Sequence, residues 1–172
     1  NKVIKKNDKI SVLIENKGQT LEIDCDNILI AMGRRPYTYG LNLENIGVGI
    51  DKNGFIQTNQ NFQTSVNNIY AIGDCKQGPM LAHKASEEGV AVAELLSGQA
   101  GQVNYDTIPS VIYTFPEVAS VGKTEEELKD LSVKYKVGKF PFTANAKATV
   151  MQETEGFVKI LSDLQTDEVL GV

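Results

Sequence analysis

The sequence predicts an α/β pattern over roughly its first hundred residues and an α+β pattern over the rest. Three observations carry this expectation. Apolar and polar residues alternate before residue 26, as half-buried strands require. A continuous apolar run then ends at a glycine, and farther on a long amphipathic stretch has helical spacing. After Tyr105 short strand-like segments dominate.

From Lys2 to Cys25, the triplet Ile10, Val12, Ile14 and the triplet Leu21, Ile23, Cys25 flank Asn16-Lys17-Gly18. Period-two segments around a Gly turn predict a small antiparallel meander. Ile28 to Met32 is apolar throughout and stops at Gly33, which predicts a strand buried on both faces. Residues 37 to 67 are rich in Asn, Gly and Gln, predicting a loop, a short helical turn near Leu41 to Ile46 and a hairpin at Asp51 to Gly54. Asp51-Lys52-Asn53-Gly54 has the start of a calcium loop but lacks the remaining ligands and the closing Glu, so a tight turn is expected.

Asn68 to Ile72 predicts a short strand broken by Gly73-Asp74. Leu81 to Leu96 predicts a helix whose inner face carries Leu81, Ala85, Gly89, Val92, Ala93 and Leu96, with Gly98 at the left-handed C-terminal cap. Later strands are expected at Val111–Thr114, Val118–Val121, Lys134–Phe142, Gly156–Leu161 and from Val169. One helix, Thr124–Leu131, is expected among them, and Thr124 with Glu127 fits a capping box.

The chain has 172 residues, enough for one full domain or pieces of several, and 41% are hydrophobic against 23% charged, as in ordinary globular proteins. The formal charge of -5 and the scattering of the 17 Lys and Arg argue against nucleic-acid binding. No apolar run approaches the roughly 18 residues of a membrane-spanning helix, and a soluble intracellular protein is expected. Asn1 in place of Met, and Leu170-Gly171-Val172 within a strand-like segment, suggest an internal piece of a longer protein. Cys25 and Cys75 fit neither a CxxC pair nor a metal cluster and are expected to be free thiols.

Chemistry concentrates between Thr64 and His83. A buried strand that delivers Gly73 permits close approach of a ligand to the backbone, and Asp74 beside it can accept hydrogen bonds from sugar-like hydroxyls. An ordinary Gly-Asp turn would have the same sequence. Gly78-Pro79-Met80-Leu81-Ala82-His83 then opens the long helix, whose free N–H groups and positive dipole end favour negative charge. Together the two suit one flavin-like ligand. His83, the single histidine, has no nucleophile and acid at triad spacing, so a packing or backbone-contact role is expected. The chain contains no GxGxxG, and Gly47-Val48-Gly49 lacks the third Gly and the helix.

The stretches ILIAMGRRP, TSVNNIYAIGDC and GPMLAHKASEEG resemble the flavoprotein disulfide reductases. IPSVIYTFPEVASVGKTEEEL and KYKVGKFPFTAN look like the dihydrolipoyl dehydrogenase branch of that family rather than its glutathione or mercuric reductase branches. The resemblance implies the end of an NAD domain over 1–33, a returning segment of a doubly wound FAD-binding domain over 34–104, and the start of an α+β interface domain from 105 to 172. It implies that Gly33 touches NAD, that Asp74 holds the flavin ribityl chain, and that Met80, Leu81, Ala82 and His83 line the flavin mostly through backbone groups. It further implies a homodimer formed through residues 105 onward, lipoyl domains of 2-oxo acid dehydrogenase complexes as partners, and a bacterial cytoplasm or mitochondrial matrix as location. The family's redox disulfide, its two Gly-rich loops and its His-Glu base are not recognisable in these residues, and Cys75 merely follows Asp74. Phe115 and Lys147 stand where the family often has His and Arg, which puts polar contacts at those two places in doubt. The alternatives are another flavoprotein disulfide reductase, of the glutathione or mercuric reductase type, or, for the chain on its own, a non-catalytic interaction module.

Overall fold

The computed structural model describes residues 2–6 and 9–172, and contacts divide the chain into two units, residues 1–34 and 35–172. In the first unit, β1 (Lys2–Lys6), β2 (Lys9–Asn16) and β3 (Gln19–Cys25) form the expected antiparallel meander. Its register pairs Ile10 with Cys25, Val12 with Ile23 and Ile14 with Leu21, while Val3 faces Val12. Alternation therefore gathers Val3, Ile10, Val12, Ile14, Leu21 and Ile23 on one face. On the other, Ser11 is buried and its hydroxyl donates to the Asp24 carboxylate at 2.5 Å.

Ile28–Met32 departs from expectation. It forms no strand, and Leu29 and Met32 are 89% and 90% exposed. An apolar run becomes a doubly buried strand only when neighbours pair with it and cover both faces. No described strand pairs with this one.

The second unit opens with irregular backbone held by turns. A 3-10 turn at Leu43–Ile46 matches the expected helical turn. The Asp51–Gly54 turn is tight, because the Asp51 carboxylate accepts the N–H groups of Asn53 and Phe55 while the Asp51 N–H donates to the Phe55 carbonyl. Leu43, Val48, Ile56 and Ala71 form a small core, packed by Val66, Ile69 and Cys75. Asn68 ends a turn, and Ile69–Ile72 makes only one bridge, Tyr70 to Gln63, so the expected strand is not formed. Its backbone groups bond instead to the loop before it: the Ile69 carbonyl accepts the Thr64 N–H, the Ile69 N–H donates to the Val66 carbonyl and the Ala71 N–H donates to the Phe62 carbonyl.

Helix α1 (Ala82–Leu96) matches the expected helix, and Gly98 follows its end with φ +81°. Its buried residues differ from the expected set: Lys84, Glu88 and Ala91 are inside, while Ala93 and Leu96 are exposed. The inner stripe is rotated by about one residue, toward the 3-10 turn Gly73–Cys75 that packs on it.

Beyond Tyr105, β4 (Ser110–Ile112) pairs antiparallel with β5 (Val118–Ser120). β6 (Tyr135–Pro141), β7 (Phe157–Asp163) and β8 (Val169–Gly171) form an antiparallel sheet in that order. α2 (Glu125–Asp130) has both halves of the capping box. A second helix that the sequence reading did not anticipate, α3 (Ala146–Met151), is capped by the Asn145 side chain, which accepts from the Ala148 N–H. The α+β expectation therefore holds for this part with two helices instead of one. Among the described residues the regular sheets are antiparallel, and the parallel pairing is an isolated bridge between Ile56 and Lys76.

Candidate functional site

Gly73 is the geometric centre of the candidate site. Its φ is +70°, a region that L side chains rarely occupy, and an added Cβ would stand 3.2 Å from the Ala85 methyl. Only glycine lets the chain turn there against helix α1. The turn is tied to the core next door, where the Ile56 N–H donates to the Cys75 carbonyl at 2.8 Å. Asp74, at the middle of the turn, is exposed.

Two charged side chains from α1 hold Gly73 from beneath. The Glu88 carboxylate accepts the Gly73 N–H at 2.7 Å, and the Lys84 ammonium donates to the Gly73 carbonyl at 3.0 Å. Lys84 and Glu88 are each 0% exposed and pair at 3.3 Å across one helical turn. The outer Glu88 oxygen accepts from the Lys76 ammonium at 2.9 Å and the Tyr105 hydroxyl at 2.7 Å. Lys76 in turn lies over the rings of Phe62 and Tyr105, 5.5 and 5.4 Å from their centroids, a favourable place for a cation.

Burial by itself would push the Glu88 carboxyl up, but the Gly73 N–H, the Lys76 ammonium and the Tyr105 hydroxyl outweigh it and hold the group below its ordinary value. Burial would likewise pull Lys76 down, yet its bonds to Glu88 and Tyr105 leave it raised. Tyr105 is raised, by burial first and then by its bond to Glu88. Carboxylate and ammonium are thus ionised partners, and every described buried side-chain polar atom has a hydrogen-bond partner.

The start of α1 adds the second feature. Leu81 at the N-cap supplies no side-chain cap, and the first turn contains no acidic residue, so nothing in the helix's own sequence occupies its leading N–H groups. Met80 and Leu81 are half-buried, while Ala82 and His83 are exposed. His83 Nε2 lies 2.7 Å from the Pro109 carbonyl, which can only accept, so Nε2 carries the proton and donates. That is the backbone contact expected of it. A glycine turn, an exposed carboxylate and an uncapped helix start lie together, and this arrangement fits the polar chain and the electron-rich ring of a flavin.

The structure therefore brings Asp74 and the segment Met80 to His83 into one region of the second unit. Gly33 belongs to the first unit, with φ +92° and open space where a Cβ would stand. Cys25 and Cys75 are free thiols; Cys75 donates to the Ile72 carbonyl at 3.0 Å. No group of three metal-ligating side chains occurs among the described residues, and no described helix is long and apolar enough to cross a membrane.

Lys84 and Glu88 were missed by sequence reasoning, because a Lys and a Glu on a helix ordinarily mark its solvated face. A signal was available: both lie at four-residue spacing in line with Ala91, beside Ala85 and Gly89.

Residues 1–89 match the model of the pyridine nucleotide-disulphide oxidoreductases, and residues 108–172 match the dimerisation domain of the same group. The chain belongs to that family. Among curated pyridine nucleotide-disulphide oxidoreductases, the dihydrolipoyl dehydrogenase of Trypanosoma brucei brucei is 58% identical over 90% of this chain and 33% of its own length. Mitochondrial dihydrolipoyl dehydrogenase 2 of Arabidopsis thaliana is 52% identical over 96% of this chain and 33% of its own. The chain thus spans about a third of the curated relatives it matches. Among solved oxidoreductases of this kind, the HOCl-induced flavoprotein disulfide reductase RclA of Escherichia coli, in its Cu(II) complex, superposes with a TM-score of 0.84 at 27% identity, over 98% of this chain and 38% of that one.

Proposed function

We propose that this chain forms part of an FAD-dependent dihydrolipoyl dehydrogenase, which oxidises dihydrolipoamide with NAD as acceptor on behalf of 2-oxo acid dehydrogenase complexes. The observation that carries the proposal is the exposed Asp74 carboxylate on a glycine turn against the uncapped start of α1. Identity above 50% to dihydrolipoyl dehydrogenases supports the substrate class, where the flavoprotein RclA shares 27%.

In this proposal residues 1–33 end an NAD-binding domain, 34–104 return to an FAD-binding domain and 105–172 begin the interface domain. Asp74 accepts hydrogen bonds from ribityl hydroxyls. The N–H groups leading α1, around Met80, Leu81, Ala82 and His83, stabilise negative charge at the flavin ring. Gly33 lies against NAD, where a side chain would obstruct approach. When bound, FAD supplies two-electron transfer between a dithiol and a nicotinamide. The homodimer forms through residues 105 onward, lipoyl domains deliver substrate, and the location is a mitochondrial matrix or a bacterial cytoplasm.

The test is lipoamide-dependent oxidation of NADH, followed with the flavin absorbance spectrum, on the 172-residue chain and on the full-length protein that carries it. We expect the longer protein to be yellow and active and the chain alone to bind FAD weakly, because its contacts alone must offset the association entropy. A yellow, active 172-residue chain would overturn this reading. So would a full-length protein that oxidises NADH with glutathione disulfide and not with lipoamide.

A further inference from the structure

The Lys84–Glu88 pair has a cost that its own helix does not explain. Two ions removed from water lose strongly favourable hydration, and an apolar pair of similar volume commonly stabilises a fold as well or better. Lys preceding Glu by four residues is also the less favourable order for a helix. The contacts of the pair reveal what an apolar pair could not do. Glu88 takes the N–H of Gly73 and Lys84 takes its carbonyl, so the peptide groups on both sides of Gly73 are fixed, and the second of them leads directly to Asp74. Lys76 and Tyr105 close the outer side of Glu88 and come from segments on either side of α1.

We propose that Lys84 and Glu88, closed by Lys76 and Tyr105, are positioning residues that set where the Asp74 carboxylate meets the ribityl chain of the flavin. The inference rests on the flavin reading of Asp74 given above. None of the four need touch the cofactor. They act through the Gly73 backbone, whose left-handed conformation against Ala85 leaves little other freedom.

The test is a double-mutant cycle in the full-length flavoprotein, reading the FAD dissociation constant by flavin fluorescence, the flavin midpoint potential, and the unfolding midpoint of the apoprotein. Glu88→Gln should weaken FAD binding about tenfold, the effect of losing one charge-assisted hydrogen bond, and should shift the midpoint potential. Tyr105→Phe should move both in the same direction by less. On an Asp74→Asn background the same two substitutions should cost far less affinity, since the group they position has already lost its charge. Undiminished losses on that background would show that the clamp merely stabilises the fold, and unchanged affinity in Glu88→Gln and Tyr105→Phe would also overturn the proposal. If Glu88→Gln cannot be recovered folded, Tyr105→Phe on both backgrounds decides alone. Asp74→Asn with unaltered FAD affinity would instead sink the flavin reading itself, and the clamp's role with it.

Discussion

At the scale of single residues, Gly73 and Glu88 illustrate opposite degrees of legibility. A Gly-Asp pair closing an apolar segment announces a special turn, and Gly73 does adopt positive φ. Gly73→Ala should therefore destabilise the protein by about 1–3 kcal/mol, from left-handed strain and the close Ala85 methyl, as read by urea unfolding; a loss below a few tenths would contradict the geometry. Glu88 was illegible because burial of an ion is decided by partners distant in sequence, Gly73, Lys76 and Tyr105. Its charge state gives a pH prediction. Because Glu88 is held below its ordinary value of 4.5, its stabilisation is full above that pH and is lost as pH falls through the folded value. Lys76 is raised above 10.5 and Tyr105 above 10.0, so their stabilisation is full below those values and is lost as pH rises through the folded ones. The urea midpoint should decline on both sides of a plateau, and the acid decline should be shallower in Glu88→Gln. Equal acid limbs in the two proteins would remove Glu88 from the response.

Elements were read from the sequence in proportion to how local their causes are. α2 was legible at its start because its capping box lies within four residues: the Thr124 hydroxyl accepts the Glu127 N–H, and the Glu127 carboxylate accepts the Thr124 N–H. Thr124→Ala should cost about 1 kcal/mol, whereas Leu128→Ala, one turn on and 1% exposed, should cost about 2–5 kcal/mol. Urea midpoints in that order would bear out the assignment of cap and core, and the reverse order would refute it. α3 was not legible, since Ala146–Met151 is a short run whose start depends on the Asn145 side chain. The turn at Gly122 is similarly non-local, because Val121 and Val172 exchange backbone hydrogen bonds and an added Cβ at Gly122 would stand 2.4 Å from the Leu170 carbonyl. Strands at Ile28–Met32 and Asn68–Ile72 failed for the same reason from the other side: a strand is a property of its neighbours as much as of its residues.

At the scale of the whole molecule, the candidate flavin wall was legible as a region, from Asp74 to His83, while the means of holding it was not. Apolar side chains remain open on both units, Leu29, Ile30 and Met32 on the first and Tyr113 and Phe115 on the second. The 172-residue chain should therefore associate in solution and bind a hydrophobic dye, and Leu29→Lys with Met32→Lys should reduce both in sedimentation and dye-fluorescence measurements. Unchanged association in that variant would move the sticky surface elsewhere. The Gly73 amide, finally, lies outside every strand and α-helix yet is buried against a carboxylate at 2.7 Å. Its proton can exchange with solvent deuterium only when that bond opens. One backbone resonance thus doubles as a stopwatch for the opening of the turn.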